Sequence, residues 1–224
     1  MDDPQERLDR EIQPVNQPTL AVEFGLWRQG ISLVAGVDEA GRGAWAGPVA
    51  AGAVILSPAA DLIERLKGVR DSKQMTARQR TFWAERIRAV ALAWGVGFAS
   101  CAEIDAIGIV PATRLAMGRA LEQLEISPQH LLIDALRLPG VDLPQTAVIK
   151  GDAHILSIAA ASVLAKTGRD AWMANLDCDY PGYGFARHKG YGTAAHRMAL
   201  EGLGSCAEHR KTFKPLLTLS PVSK

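Results

Sequence analysis

The sequence predicts an α/β domain in which a mixed five-stranded sheet is covered by helices, with a helical C-terminal part. Three observations predict it: five short apolar runs have strand character, stretches of helical periodicity alternate with the later ones, and glycine- and proline-rich segments punctuate them. Such alternation after an opening hairpin gives a sheet that is neither wholly parallel nor wholly antiparallel.

The first run, LVAGVDE over 33–39, and the second, PVAAGAVIL over 48–56, are joined by the glycine-rich stretch Gly41 to Gly47, short enough for an antiparallel connection. Residues 76–93 carry apolar side chains at helical spacing, with Thr76 or a neighbour as the cap. WGVGFAS is a short strand. The segment 103–124 behind it reads as helix, interrupted or restarted at Pro111, whose missing N–H is harmless in a first turn. HLLID, ending at Asp134, and TAVIK, ending at Lys150, are two further short strands. Residues 153–174 form a long Ala-rich helix. Pro181, Gly182, Gly184, Gly190 and Gly192 then mark an extended loop before a last helix near 194–203. Residues 1–20, with Pro4, Pro14 and Pro18 among charged and amide side chains, hold too little apolar surface to pack and read as a flexible arm or a loosely docked helix. Residues 21–224 then make one domain, since 224 residues suffice for one full core and are short for two.

Composition excludes several classes. Hydrophobic residues make up 48% and charged ones 22%, and no apolar run reaches the roughly 18 residues of a membrane span. The acidic, polar start lacks the pattern of a secretory signal, so a cytoplasmic location is expected. Cys101, Cys178 and Cys206 are odd in number and far apart, which argues against disulfides and structural zinc. The net charge of +1 is unevenly spread: residues 1–11 hold five acids against two bases, and residues 187–214 six bases against two acids. The basic end suits a polyanion, although a solvated face explains the charge as well.

The chemistry gathers at acids. Asp38 and Glu39 end an apolar strand, and Asp134 ends another, where an unpaired carboxylate removed from water costs several kcal/mol. Ligands of open α/β sheets sit outside strand ends, so two such strands side by side aim three carboxylates at one spot. Asp152 follows Asp134 by 18 residues and opens the Ala-rich helix, where it is either a fourth member or simply a helix cap. Asp134 could instead start a turn. Crowded carboxylates raise one another's pKa, and a divalent cation with a taste for oxygen, magnesium or manganese, relieves the repulsion. Two such ions about 4 Å apart hydrolyse phosphodiesters.

The stretch Gly36 to Val49, GVDEAGRGAWAGPV, resembles the opening motif of ribonuclease HII, the prokaryotic type 2 ribonuclease H. In order follow DSK at 71–73, EID at 103–105, LLID ending at Asp134, KGD ending at Asp152, SIAAASVLAK with RD ending at Asp170, and YGFARHKGYGT over 183–193. The resemblance spans roughly residues 34–215 and implies the ribonuclease H-like fold. It implies that Asp38, Glu39, Asp134 and Asp152 are both the catalytic and the metal-binding residues, holding two Mn²⁺ or Mg²⁺ ions. It implies cleavage of the RNA strand of RNA·DNA hybrids, and cutting 5′ of ribonucleotides embedded in duplex DNA, by a water that leaves a 3′-hydroxyl and a 5′-phosphate. That activity serves ribonucleotide removal in DNA replication and repair, and a monomer acting on nucleic acid, with no membrane, is expected.

Substrate contacts carry over the same way. Gly41, Arg42 and Gly43 match the motif whose backbone reads the ribose 2′-hydroxyl, the group that separates RNA from DNA. Tyr191 matches a tyrosine that packs on the neighbouring deoxyribose, with ordinary core packing as its alternative. Ser72, Lys73, Arg187, His188 and Lys189 look like phosphate contacts. Ser162, Lys166 and Asp170 share one helix face by their spacing of four, and Lys166 with Asp170 could be only an ion pair. The chain departs from the pattern at Ala44 and Trp45, where relatives usually have proline and leucine, at Ala135, where glycine commonly follows the third acid, and at Gly108, where asparagine is usual. No carboxylate is lost.

Two other functions compete. A dinucleotide-binding loop is one, but Gly41, Gly43 and Gly47 miss its spacing by one residue and a strand follows instead of a helix. A non-catalytic nucleic-acid-binding module is the other, and it has no use for four converging acids.

Overall fold

Five strands form one sheet in the computed structural model of the chain, which describes residues 17–59 and 61–217. They are β1 (Val34–Ala40), β2 (Val49–Leu56), β3 (Ala91–Ala99), β4 (His130–Asp134) and β5 (Gln145–Val148), in the order β3-β2-β1-β4-β5. The pairs β1/β2 and β2/β3 are antiparallel, while β1/β4 and β4/β5 are parallel. The sheet is therefore mixed, as expected. Every residue of β2 is buried, the mark of a strand covered on both faces.

The helices among the described residues are α1 (Ala21–Trp27), α2 (Leu62–Arg65), α3 (Ala77–Val90), α4 (Cys101–Ile107), α5 (Ile109–Glu122), α6 (Gly151–His154), α7 (Leu156–Asp179), α8 (Phe185–His188), α9 (Ala194–Leu203) and α10 (Lys214–Leu217). Ala112, Ala116, Met117 and Ala120 of α5 pack on one face against Val37, Ala53 and Ile133. On the opposite face α7 carries Ala160 and Leu164 against Val54 and Leu56. The helix comes unusually close, because a Cβ on Gly36 would lie 2.2 Å from the Ser157 carbonyl carbon and one on Gly52 2.3 Å from the Ala161 oxygen. Asp38 lies two residues from Gly36 and opposite Gly52, so it projects on this same, helix-covered face.

Several expected boundaries move. The helix over 76–93 does begin at a capping box made by Thr76 and Gln79, but it stops at Val90 because Ala91 and Ala93 pair with β2. Apolar periodicity alone does not resolve a helix that runs directly into a strand. The helix over 103–124 breaks at Gly108 and not at Pro111. Gly108 sits at φ 84, ψ 161, a region essentially closed to side chains, and Pro111 falls harmlessly in the first turn of α5. The helix over 153–174 is really α6 and α7, separated by Ile155 in extended conformation.

The end of the expected arm meets that break. Thr19 bridges Ile155, with its N–H donating to the His154 carbonyl (2.9 Å) and its own carbonyl accepting from Leu156 (2.9 Å). Leu20 is buried. Residues 17–20 are thus docked, while the rest of the expected arm, residues 1–16, lies outside the described residues. Among the described residues no helix is long and apolar enough to cross a membrane.

Candidate active site

Parallel pairing of β1 with β4 aligns Val37 with Ile133, so Asp38 and Asp134 sit on the next rung at the carboxyl ends of neighbouring strands. Glu39 follows on β1. After β5 the chain turns through Lys150 in the left-handed region (φ 57) and enters α6, whose Gly151 N–H donates to Asp134 Oδ1 (2.7 Å). Asp152 lies in the first turn of that short helix, buried at 4% exposure, and its cap position is held by Lys150. The helix-cap reading of Asp152 therefore fails. A turn does begin beyond Asp134, where Ala135 takes φ 52, and Asp134 still faces the other acids.

The four carboxylates feel one another. Burial raises the Asp38 pKa well above the ordinary carboxylate value, the charges of Glu39, Asp134 and Asp152 raise it further, and the nearby Ser162 hydroxyl pulls the other way. Asp134 is pushed up to about 6, chiefly by burial, with Asp152 and Glu39 adding repulsion and the Gly151 N–H and Lys73 opposing it. Local donors satisfy part of the cluster: Glu39 N–H donates to Asp38 Oδ1 (2.7 Å), Arg42 to Glu39 Oε1 (3.2 Å) and Lys73 Nζ to Asp152 Oδ2 (3.2 Å). Asp38 Oδ2 and Glu39 Oε2 are buried with no hydrogen-bond partner. Buried carboxylate oxygens without donors are rare and suit a cation. Among the described residues no three Asp, Glu, His or Cys side chains are drawn together into a ready-made ion cage. Each of the four instead meets a donor of its own.

The model of one protein family, described as Ribonuclease HII, matches residues 35–216 and thereby spans all but the first residue of the sheet and includes all four acids. The chain belongs to the ribonuclease HII family. It is 53% identical over 204 residues to the Ribonuclease HII of Chloroflexus aurantiacus, covering 89% of this chain and 95% of that one. It is also 53% identical over 208 residues to the Ribonuclease HII of a Synechococcus species, covering 93% of each. The crystal structure of ribonuclease H2 from Pyrococcus horikoshii OT3 superimposes with a TM-score of 0.68 at 28% identity, over 82% of this chain and 95% of that chain. The fold is thus ribonuclease H-like, and the chain is a ribonuclease H enzyme.

In ribonuclease HII terms, the remaining matched residues fall into three groups. Gly41, Arg42 and Gly43 form the loop beside the acids, and a Cβ on Gly43 would meet nothing within 4 Å, so that face of the loop is open. Tyr191 stands over the same loop region, 37% exposed, with Lys166 Nζ 5.9 Å and the Arg169 guanidinium 5.5 Å from its ring centre. An exposed ring between two cations is not core packing. Ser72 and Ser162 are buried and hydrogen-bonded to each other (2.8 Å), and Ser162 lies beside Asp38. Lys73 is largely exposed along its stem and aims its ammonium at Asp152.

The third group holds the phosphate candidates. Arg187 is exposed, whereas Lys189 is half-buried and donates to the Asp170 carbonyl (3.2 Å). His188 does not fit: its ring is buried, Nε2 meets the Tyr183 carbonyl (2.7 Å) and Nδ1 accepts from Gly190 N–H (3.2 Å), so neither nitrogen can reach a phosphate. Lys166 does pair with Asp170, which Arg80 also engages at 3.0 Å. The ion pair holds the Lys166 ammonium over the Tyr191 ring.

Sequence reasoning passed over Arg169 and Arg210, both fully buried beneath these loops. A signal existed for the first: Ala161, Ala165, Arg169 and Met173 recur every four residues on the buried stripe of α7, so an arginine on that stripe has to find acceptors inside. Arg210 lies outside any periodic element and offers no such signal.

The departures from the family pattern have local explanations. Ala44 is fully buried, and the Trp45 ring packs against Gly192 and lies 5.5 Å from the His196 ring. Ala135 holds an exposed left-handed conformation, which costs an L-residue roughly 1–2 kcal/mol and explains why glycine suits the position. Glycine gives back part of that through its greater freedom when unfolded. Ala135→Gly should therefore raise unfolding free energy by roughly 0.5–1 kcal/mol in a denaturant titration. A loss of stability would show that the methyl group contributes more than the strain removes.

Proposed function

We propose that the enzyme cuts the RNA strand of RNA·DNA hybrids and the 5′ side of ribonucleotides embedded in duplex DNA, using Mg²⁺ or Mn²⁺ held by Asp38, Glu39, Asp134 and Asp152. The observation that carries the reading is that Asp38, Glu39 and Asp134 end adjacent strands with Asp152 opening the helix beside them, while Asp38 Oδ2 and Glu39 Oε2 are buried and unpartnered. When bound, two such ions supply the activation of water and the stabilisation of the leaving oxygen.

The chain's own residues do the rest. The four acids would hold the ions, and Lys73 and Arg42, which pair with Asp152 and Glu39, would be the side-chain cations beside a phosphate bound there. Gly43 offers an open stretch of backbone that a ribose can approach closely, and Tyr191 offers a half-exposed ring to the adjoining sugar. Arg187 and Lys189 extend a basic edge along the duplex.

The test is cleavage of a DNA duplex carrying one ribonucleotide, with and without magnesium or manganese, with the ends mapped. Metal-dependent cutting 5′ of the ribonucleotide, leaving a 3′-hydroxyl, is expected, and the all-DNA duplex should stay intact. Binding without cleavage in every metal would leave a nucleic-acid-binding module. Equal cutting of both duplexes would remove the role given to Gly41, Arg42 and Gly43.

A further inference from the structure

We infer that Arg169 and Arg210 are positioning residues that lock the Gly41–Gly43 loop and the Tyr191 loop into one ribonucleotide-sensing unit. The inference rests on the reading of those loops given under the proposed function, and it assigns a cause to their geometry.

Arg210, following α9, reaches under the first loop. Its Nε and one terminal nitrogen donate to the Gly47 carbonyl (3.0 and 2.8 Å), and its terminal nitrogens donate to the carbonyls of Gly41 (2.8 Å) and Arg42 (2.8 Å). Arg169, on α7, joins the two loops. It donates to Pro48 (2.8 Å) and Ala46 (3.1 Å) on one side and to Lys189 (2.9 Å) on the other, and it underlies Tyr191. Both side chains are fully buried, and neither forms an ion pair among the described residues. Buried guanidinium groups are ordinarily matched by carboxylates. Here six backbone carbonyls take that place, and all belong to the two loops.

Peptide planarity turns this into a statement about the open side. In a trans peptide the C=O and the following N–H point in opposite directions, and the described residues contain no cis bond. Drawing the Gly41 and Arg42 carbonyls inward therefore aims the N–H groups of Arg42 and Gly43 outward. Neither N–H has an acceptor among the described residues. They are donors held ready for an oxygen such as a 2′-hydroxyl. The loops are also stitched directly, since Trp45 and Ala46 N–H both donate to the Gly190 carbonyl (2.8 and 3.3 Å).

Lysine keeps the charge and loses the fork, so it cannot hold several carbonyls in fixed directions. A long hybrid presents a ribose at every step and tolerates a loosened loop, whereas a single embedded ribonucleotide offers one register. Arg169→Lys and Arg210→Lys should therefore lower the ratio of kcat/KM for the single-ribonucleotide duplex to kcat/KM for the long hybrid by tenfold or more. The comparison is made well below each variant's Tm. A folded variant whose ratio stays at the wild-type value overturns the inference, even if both activities fall, because that is what a merely structural role gives.

If neither variant folds, amide hydrogen exchange on the unaltered enzyme decides. Trp45, Ala46, Gly47 and Tyr191 should share one opening free energy, and independent opening of the two loops overturns the inference. Wild-type enzyme that fails to cut the single-ribonucleotide duplex would instead sink the proposed function, leaving the exchange experiment to judge the locking.

Discussion

Asp38→Asn is expected to lower kcat on both substrates by on the order of 10³-fold or more while duplex affinity persists. Asp38 is the most buried of the four acids, it sits on the rung shared with Asp134, and its Oδ2 has no donor to satisfy it. Asparagine keeps the shape and the hydrogen bond to Glu39 N–H but removes the charge through which a cation would be held. Single-turnover cleavage and fluorescence anisotropy separate chemistry from binding. The metal-free variant should also resist denaturant better than wild type, because a buried, unpaired charge has gone. Wild-type rates would sink the assignment of the site. Lost binding with intact rates per bound duplex would place Asp38 in recognition instead.

Glu23→Gln is expected to stabilise the protein at pH 8 and to do almost nothing at pH 4.5. Glu23 of α1 is fully buried; its Oε1 accepts from Ser157 N–H (2.9 Å) while Oε2 has no partner. Burial raises its pKa from 4.5 to about 7, against the opposing hydrogen bonds from Ser157. For an acid whose folded pKa lies above its unfolded one, the unfolded chain gives up its proton first. Stability is therefore lost as pH climbs from about 4.5 to about 7, and the loss levels off above. A shift of that size corresponds to at most roughly 3.5 kcal/mol, and glutamine, which does not ionise, escapes it. Denaturant titrations of both proteins across pH 4.5–8 check this. A constant difference between the two at every pH would mean that Glu23 does not titrate in the window.

Much of this architecture was legible in the residues because the deciding physics was local. Strand runs such as 33–39 and 48–56 carry their own pattern, Thr76 and Gln79 announce a helix start, and carboxylates ending buried strands can be picked out without knowing which strands are neighbours. The parallel pairing of β1 with β4, which brings Asp134 beside Asp38, depends on contacts nearly a hundred residues apart and leaves no local trace. For the same reason 76–93 read as one helix: whether Ala91 and Ala93 continue it or pair with β2 is decided by the partner strand. His188 read as a phosphate ligand because basic neighbours surround it in sequence. Its ring instead turns inward toward Tyr183 and Gly190 and stacks on His196, 4.3 Å between ring centres.

The bridge between Thr19 and Ile155 connects the leading polypeptide mechanically to the cluster of acids. The hydrogen bonds at Thr19 grip the peptide units on either side of Ile155, three residues beyond Asp152. Tension on a tether attached ahead of residue 17 would therefore act on the extended Ile155 between α6 and α7, and through α6 on Asp152. Slack in such an attachment matters more than its bulk: a taut one strains the fourth acid, and a loose one leaves it undisturbed.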